Sequence, residues 1–255
     1  MIYLSRQQVA PDLNEAAFRE VLATAREGGY RFARFNEVDR DGRLLLLRHD
    51  VDVDLYYADR LSAVEQECGA VSTYFVMLHN PLYNPWSREG HAVLREIVTR
   101  GQAVGLHFDP RFYGPDEALP LPVLIPLIES ELEILSAIAG VPVDLVSFHQ
   151  PLPRLLNAPL PSARFRSTYA PEFTAGMRYI ADSAGRWREE SILELLRRGT
   201  TDRIQFLSHP VLWLSSGGAT LQERLEVAVG RRQQAVRAEL AAAVNDPSRQ
   251  MVLYE

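Results

Sequence analysis

Asp50 and Asp52 stand two residues apart in Arg48-His49-Asp50-Val51-Asp52. That spacing lets two carboxylates leave an extended backbone on one face, so that one can serve as general base beside a metal-binding partner. Imidazoles and a further carboxylate come from Gly105-Leu106-His107-Phe108-Asp109, Ser147-Phe148-His149-Gln150-Pro151 and Ser208-His209-Pro210. A mixed Asp/His set with an open position suits catalytic zinc or a similar divalent ion. Each motif alone has a plainer explanation. Asp52 or Asp54 could cap a helix that starts near Leu55, and one isolated His is more often a hydrogen-bonded structural group. Three His and two Asp at corresponding places along the chain favour a shared site. His79 and His91 match no such pattern and read as non-catalytic.

The elements that must position these groups follow from apolar spacing. Phe18, Val21, Leu22 and Ala25 recur at helical intervals over 14–28, behind Asn14 and before Gly28-Gly29, which predicts a helix in a peripheral N-terminal segment, 1–43. A buried strand, Leu44 to Leu47, then leads into the Asp50 motif. A helix over 55–67 precedes a strand at 72–78, and a helix over 91–100 precedes a strand at 103–106 and His107. A helix over 124–139 precedes a strand at 144–148 and His149. A strand at 178–182, a helix over 191–198 and a strand at 204–208 lead to His209, and a helix over 221–244 closes the chain.

Such alternation is the signature of parallel β/α units. Asp50 with Asp52, then His107, His149 and His209, each fall just past a separate predicted strand, where a β/α barrel gathers its active site. The stretch 150–175, with Pro151, Pro153, Pro159, Pro161 and Pro171, reads as an ordered loop over that face.

Composition narrows the function classes. A chain of 255 residues, 47% hydrophobic and 24% charged, suits a single catalytic domain over 1–255. All 27 basic residues are Arg. Schiff-base lysines, P-loop lysines and a Lys general base are therefore excluded. With a net charge of -6 and no basic run interleaved with aromatics, a nucleic-acid partner is not expected. The single Cys68 allows no intrachain disulfide. Met1 to Glu15 lacks the apolar core of a signal peptide, and no apolar run reaches the roughly 18 residues of a membrane span. The expected location is cytoplasmic.

Over residues 44–213 these motifs resemble the polysaccharide deacetylase superfamily (NodB homology, carbohydrate esterase family 4). Their wording is similar to a divergent branch associated with bacterial surface-polysaccharide gene clusters (WbmS-like). The resemblance implies a distorted (β/α)7-type barrel of parallel strands with the active site at their C-terminal ends. It also implies Asp50 as base, Asp52 and His107 as metal ligands, and His209 as the acid that protonates the leaving amine. The superfamily's second metal-binding His would fall at Arg111, and a guanidinium cannot ligate a metal. The third ligand is thus open between His149, which restores an Asp-His-His set, and Asp109. His149 could instead orient Asp50.

Asp182 takes a supporting role by the same resemblance. Tyr83, Asn84, Trp187 and Trp213 are candidate substrate contacts, since sugar rings stack on aromatic faces, although these side chains could equally pack the loops. The implied cofactor is one divalent ion, zinc first. The implied reaction is hydrolysis of a non-peptide C–N bond, N-deacylation of an amino sugar or another small N-acyl metabolite. Two alternatives compete: a metal-independent hydrolase of a cyclic amide or ureide, and an inactive binding module on the same barrel.

Overall fold

The computed structural model describes residues 7–38, 42–115, 120–156 and 160–245. Expectations that rest on residues 1–6 or on Pro159 lie outside them. In chain order the main elements are α1 (Glu15–Glu27), β1 (Arg31–Ala33), β2 (Leu44–Val51), α2 (Leu55–Glu67), β3 (Thr73–Val76), α3 (Arg88–Thr99), β4 (Ala103–Phe108), α4 (Leu121–Ala139), β5 (Leu145–Phe148), β6 (Arg166–Ser167), α5 (Pro171–Thr174), β7 (Arg178–Ala181), α6 (Ile192–Arg198), β8 (Arg203–Ser208), α7 (Pro210–Leu214) and α8 (Leu221–Asn245).

Every strand pairing is parallel, and the sheet runs β6-β5-β4-β3-β2-β8-β7. It curls into a half-barrel with flanking helices, a distorted (β/α)7 architecture that stays open between β6 and β7. Gln205 in β8 reaches toward that gap, its amide donating to the carbonyl of Phe173 at 3.0 Å and of Thr168 at 3.4 Å. The eighth strand, β1, pairs with the first half of β2 and leaves the second half to β3. Along its other edge β2 pairs with β8 from Leu44↔Arg203 to His49↔Ser208.

All eight residues of β2 are buried, but its two faces meet different cores. Leu45, Leu47 and Val51 join the outer core under the helices. Leu44 and Leu46 pack inside the barrel with Ala33, Phe35, Phe75, Leu145 and Phe173. Because side chains alternate, Arg48 and Asp50 continue that inner face. The sequence suggested a strand that stops at Leu47. In the structure β2 continues through the charged motif, so Asp50 lies within a strand, as does His107 within β4. The reason is that each of the three polar side chains Arg48, His49 and Asp50 finds a partner. Arg48 meets Asp50. On the outer face His49 Nδ1 lies 2.7 Å from Ser208 Oγ, and its Nε2 lies 2.6 Å from Glu65 Oε1. Glu65 Oε2 in turn accepts from Ser72 Oγ at 2.6 Å and from the Tyr74 hydroxyl at 2.7 Å. That network ties α2 to β2, β3 and β8.

Other boundaries shift for local reasons. Asp54 caps α2 by accepting from the Tyr56 amide at 3.1 Å, which leaves Asp52 free of that role. Ser87 caps α3, so His91 sits inside the helix rather than at its start. The Pro-rich stretch carries β6 and α5, elements too short to produce a readable period.

The inner core is tight where β3 faces β4. A Cβ added at Gly105 would lie 2.4 Å from a ring carbon of Phe75, which itself meets Phe35 edge-on. Gly105→Ala is therefore expected to cost about 1–3 kcal/mol, as overpacking of a filled core typically does. Urea denaturation reads this, and an unchanged midpoint would contradict the close contact.

Candidate metal centre and active site

Asp52 follows β2, His149 follows β5, and His107 is the fifth residue of β4, so three strands of one parallel sheet deliver all three to the same end of the barrel. His107 Nε2 lies 3.2 Å from Asp52 Oδ1 and 3.2 Å from His149 Nδ1, and His149 Nδ1 lies 3.5 Å from Asp52 Oδ1. Ligand atoms around a tetrahedral zinc, with bonds of about 2.0–2.1 Å, are about 3.3 Å apart. The donor set therefore fits a divalent ion, one carboxylate with two imidazoles. Two further observations agree. Asp52 Oδ1 is buried without a hydrogen-bond partner. Two imidazole nitrogens also face each other, which needs a cation or a shared proton between them. Burial pushes the Asp52 carboxyl up, yet His107 and His149 outweigh it and hold the group well below the ordinary carboxylate range.

Register explains the orientation of His107. His107 pairs with Ser147 across β4 and β5, and His107 Nδ1 lies 2.6 Å from Ser147 Oγ. Ser147 Oγ also donates to Asp50 Oδ1 at 3.4 Å. A hydroxyl that gives its proton to a carboxylate accepts one from His107 Nδ1, which leaves Nε2 with its lone pair toward Asp52 and His149.

Asp50 sits one layer deeper. Arg48 grips it with two hydrogen bonds, Nε to Oδ1 at 3.0 Å and Nη2 to Oδ2 at 2.8 Å. The Tyr169 hydroxyl accepts from the same Nη2 at 3.1 Å. Burial pushes the Asp50 carboxyl up, but the Arg48 charge more than reverses this and keeps it below its ordinary value. The partner of Asp50 is thus Arg48 rather than His149. Sequence reading passed over Arg48, although its place two residues before Asp50 on a strand was the available signal.

His209 follows β8 and begins the turn into α7. Its Nδ1 lies 2.6 Å from Asp182 Oδ1, and its Nε2 lies 3.6 Å from Asp52 Oδ2. Asp182 is fully buried and also accepts from the His209 amide at 2.9 Å and the Trp213 indole at 2.8 Å. Burial works against a charged His209, but Asp182 overcomes it and raises the imidazole to about 9.

These groups line a cavity of about 720 Å³ that contains Asp50, Asp52, His107, His149 and His209. Several sequence candidates lie elsewhere. Asp109 caps the turn Pro110–Tyr113 by accepting from the Arg111 amide at 2.9 Å and does not join the converging trio. The Tyr83 hydroxyl donates to the Val51 carbonyl at 2.7 Å and accepts from the Met77 amide at 2.9 Å, bracing the end of β2. Asn84 folds back on the Trp86 amide at 2.9 Å. Trp187 donates to Asp12 at 2.9 Å and packs on Phe206 and Trp213. Trp213 is buried against Phe18 and Phe206. These aromatics are turned inward because each has a polar partner or a core to fill. His79 stacks on Phe112, and His91 meets Trp86, both away from the cavity. The cavity instead receives Gln150 and Ala184, non-glycine residues at φ 44 and φ 60, a sparsely populated conformation that clusters at functional sites.

No family model matches the chain, and no curated protein matches it. Its backbone is similar to solved structures at low identity. One is a mutant of BA3943, a CE4 family pseudoenzyme with restored enzymatic activity, at 17% identity and TM-score 0.42, covering 77% of this chain and 64% of that one. BA3943 comes from Bacillus anthracis. The chain thus spans just under two thirds of that structure's length. Another is the peptidoglycan deacetylase PdaC from Bacillus subtilis, at 12% identity and TM-score 0.47, covering 81% of this chain and 98% of that one. A third is the Streptococcus pyogenes deacetylase PplD in complex with acetate, at 15% identity and TM-score 0.45, covering 76% of this chain and 88% of that one.

Proposed function

We propose that this chain is a metal-dependent hydrolase of non-peptide C–N bonds, a single catalytic domain that removes an N-acyl group from an amino sugar or a small N-acyl metabolite. A cytoplasmic substrate, low in molecular weight or sugar-linked, suits this reading. The observation that carries it is the convergence of Asp52 Oδ1, His107 Nε2 and His149 Nδ1 at 3.2–3.5 Å beside Asp50 and His209. The ion expected there, zinc first, would supply Lewis acidity that polarises an acyl oxygen and favours ionised water near neutral pH.

The remaining steps fall to the chain. Asp50, held ionised and fixed in orientation by Arg48, accepts the proton of the attacking water. His209, protonated at neutral pH through Asp182, gives its proton to the departing amine. Asp182 is a positioning residue, since its two oxygens hold both the imidazole and the backbone of His209. Base and acid therefore adjoin different members of the ligand trio, Asp50 beside His107 and His209 beside Asp52, each with its own counter-charge.

Purified protein should hold about one divalent ion per chain, and Asp52→Ala or His107→Ala should deplete it, as read by elemental analysis. Wild-type protein that stays unloaded after exposure to zinc, manganese, cobalt and nickel would remove the metalloenzyme reading.

Asp50→Asn and His209→Ala should each lower turnover about 10²–10⁴-fold, the usual span for a general base or acid, with metal content retained. Asn keeps one oxygen for Arg48 but no charge, so that variant should also melt earlier. Near-normal turnover by Asp50→Asn would rule out the assigned base.

In metal-free protein the His209 ring should titrate near pH 9, and in Asp182→Asn it should titrate at a distinctly lower pH, both by NMR. An unfolded His has a pKa of about 6.5, so the His209 contribution to stability is complete below that pH. It is lost as pH rises through about 9. Denaturation midpoints on either side of this window should differ in wild type and converge in Asp182→Asn. Equal His209 titration in both proteins would refute the role of Asp182.

A further inference from the structure

We infer that the amine half of the substrate is apolar and carries a carboxylate, as in an N-acylated amino acid with a large hydrocarbon or aromatic side chain, rather than a polyhydroxylated sugar. This rests on the amide-hydrolase reading above and names its substrate class.

The leaving amine must lie beside His209, so the walls around His209 meet the amine half. Those walls are apolar. Leu207 precedes His209 in β8, Val211 and Leu212 follow it in α7, and Leu221 and Leu225 approach from α8, four residues and one helical turn apart. Leu207, Val211 and Leu212 are buried, while Leu221 and Leu225 are half-buried. Sugar hydroxyls seated on five such side chains would leave water without gaining hydrogen-bond partners there. A hydrocarbon or aromatic side chain loses only unfavourable contact with water. The indoles of Trp187 and Trp213, which could have formed a sugar-stacking platform, face the core instead. Tyr179, 43% exposed, is the open aromatic ring in the cavity lining and can stack on an apolar side chain.

Charge supplies the second half of the argument. Arg188 lines the same cavity, is exposed, and has no ion-pair partner among the described residues. The two acids next to it in sequence are engaged elsewhere, Glu189 by Arg178 and Glu190 by Arg178 and Arg198. Arg188 belongs to the segment that also supplies Asp182, the partner of His209, and the cavity residues Ser183 and Ala184. We therefore assign its guanidinium to the amine side of this shared cavity, where its planar fork can take a carboxylate through two parallel hydrogen bonds. An apolar wall and one unpaired cation beside the leaving nitrogen match the side chain and the α-carboxylate of an amino acid.

The test uses binding and turnover together. Calorimetry on full-length Asp50→Asn, which should bind without rapid cleavage, compares N-acetyl-L-phenylalanine, N-acetylphenethylamine, N-acetylglucosamine and N-acetylglucosamine 1-phosphate. Metal-loaded wild type is assayed with the same four. N-acetyl-L-phenylalanine should bind at least about tenfold more tightly than either sugar, and loss of its carboxylate in N-acetylphenethylamine should cost about tenfold. Adding Arg188→Ala should abolish the difference between those two aromatic ligands, and Leu225→Gln should weaken both equally. Either sugar binding as tightly as N-acetyl-L-phenylalanine would overturn the inference, as would an Arg188→Ala effect equal for the charged and neutral ligands. Tight binding of N-acetyl-L-phenylalanine with no cleavage by wild type would uphold this substrate class and count against the hydrolase reading. Cleavage of a sugar with no binding of N-acetyl-L-phenylalanine would do the reverse.

Discussion

Arg48 is wholly buried on the inner face of β2, and its one carboxylate partner among the described residues is Asp50, two positions further along the same face. A lone ion in such a place costs several kcal/mol, and removal of one member of a buried pair typically costs about 3–5 kcal/mol. Neither side chain can change independently. The pair also lets β2 stay extended beyond the apolar floor of Leu44 and Leu46, which carries Asp52 to the rim where His107 and His149 meet it. After this guanidinium the imidazole nearest to Asp50 is His107, whose Nδ1 lies 3.7 Å from Asp50 Oδ2 and whose other nitrogen belongs to the converging trio.

Three carboxylates, Asp50, Asp52 and Asp182, crowd one end of the barrel, and two of them own a dedicated cation. Asp50 has Arg48, and Asp182 has His209. Asp52 is left with two imidazoles whose nitrogens also face each other. In the absence of an ion this corner draws protons. Burial lowers His149, but the Asp52 carboxylate beside it outweighs this and raises the imidazole. The same arrangement that attracts a proton also suits a divalent ion, because surroundings poor in water magnify each charge interaction. In the proposed reading the local charge pattern thus separates three jobs among chemically similar carboxylates: Asp50 is the base, Asp52 ligates, and Asp182 keeps an acid protonated.

The order of elements was readable because β/α alternation leaves long apolar periods, and the strand-end motifs were readable because polar residues interrupt those periods abruptly. What escaped was register and facing. Two-residue spacing puts Arg48 and Asp50 on one face, but nothing in Leu47-Arg48-His49-Asp50 alone reveals that this face is the inner one while His49 turns outward to Glu65 and Ser208. Likewise the tie from Ser147 to His107 exists only because β4 and β5 align those two residues. The aromatics misled for a related reason. Trp213 follows a motif His and suggested a rim contact, but its indole N–H is drawn to Asp182, and the ring follows it into the core. Two-residue β6 and four-residue α5 carry too few positions for any period to emerge.

Residues at positive φ sit directly beside the functional groups: Gln150 follows His149, and Ala184 lies two positions after Asp182. Each such conformation costs about 1–3 kcal/mol and persists only where surrounding structure enforces it. Around Ala184 the enforcement is visible. Gln7 donates its side-chain amide to the Ala184 carbonyl at 2.9 Å, and the Ala10 amide donates to the Gly185 carbonyl at 2.7 Å. Gln7 in turn accepts from the Leu221 amide at 2.9 Å, so the first turn of α8 is locked to the same point. Further along α8, Arg224 reaches the carbonyls of Leu13 and Leu212, and Arg231 meets Asp54 at the start of α2. The helix most distant in sequence from the Asp50 motif therefore clamps both the turn that carries Asp182 and the turn that carries His209. Its position determines the His209 side of the cavity as firmly as Arg48 determines the Asp50 side.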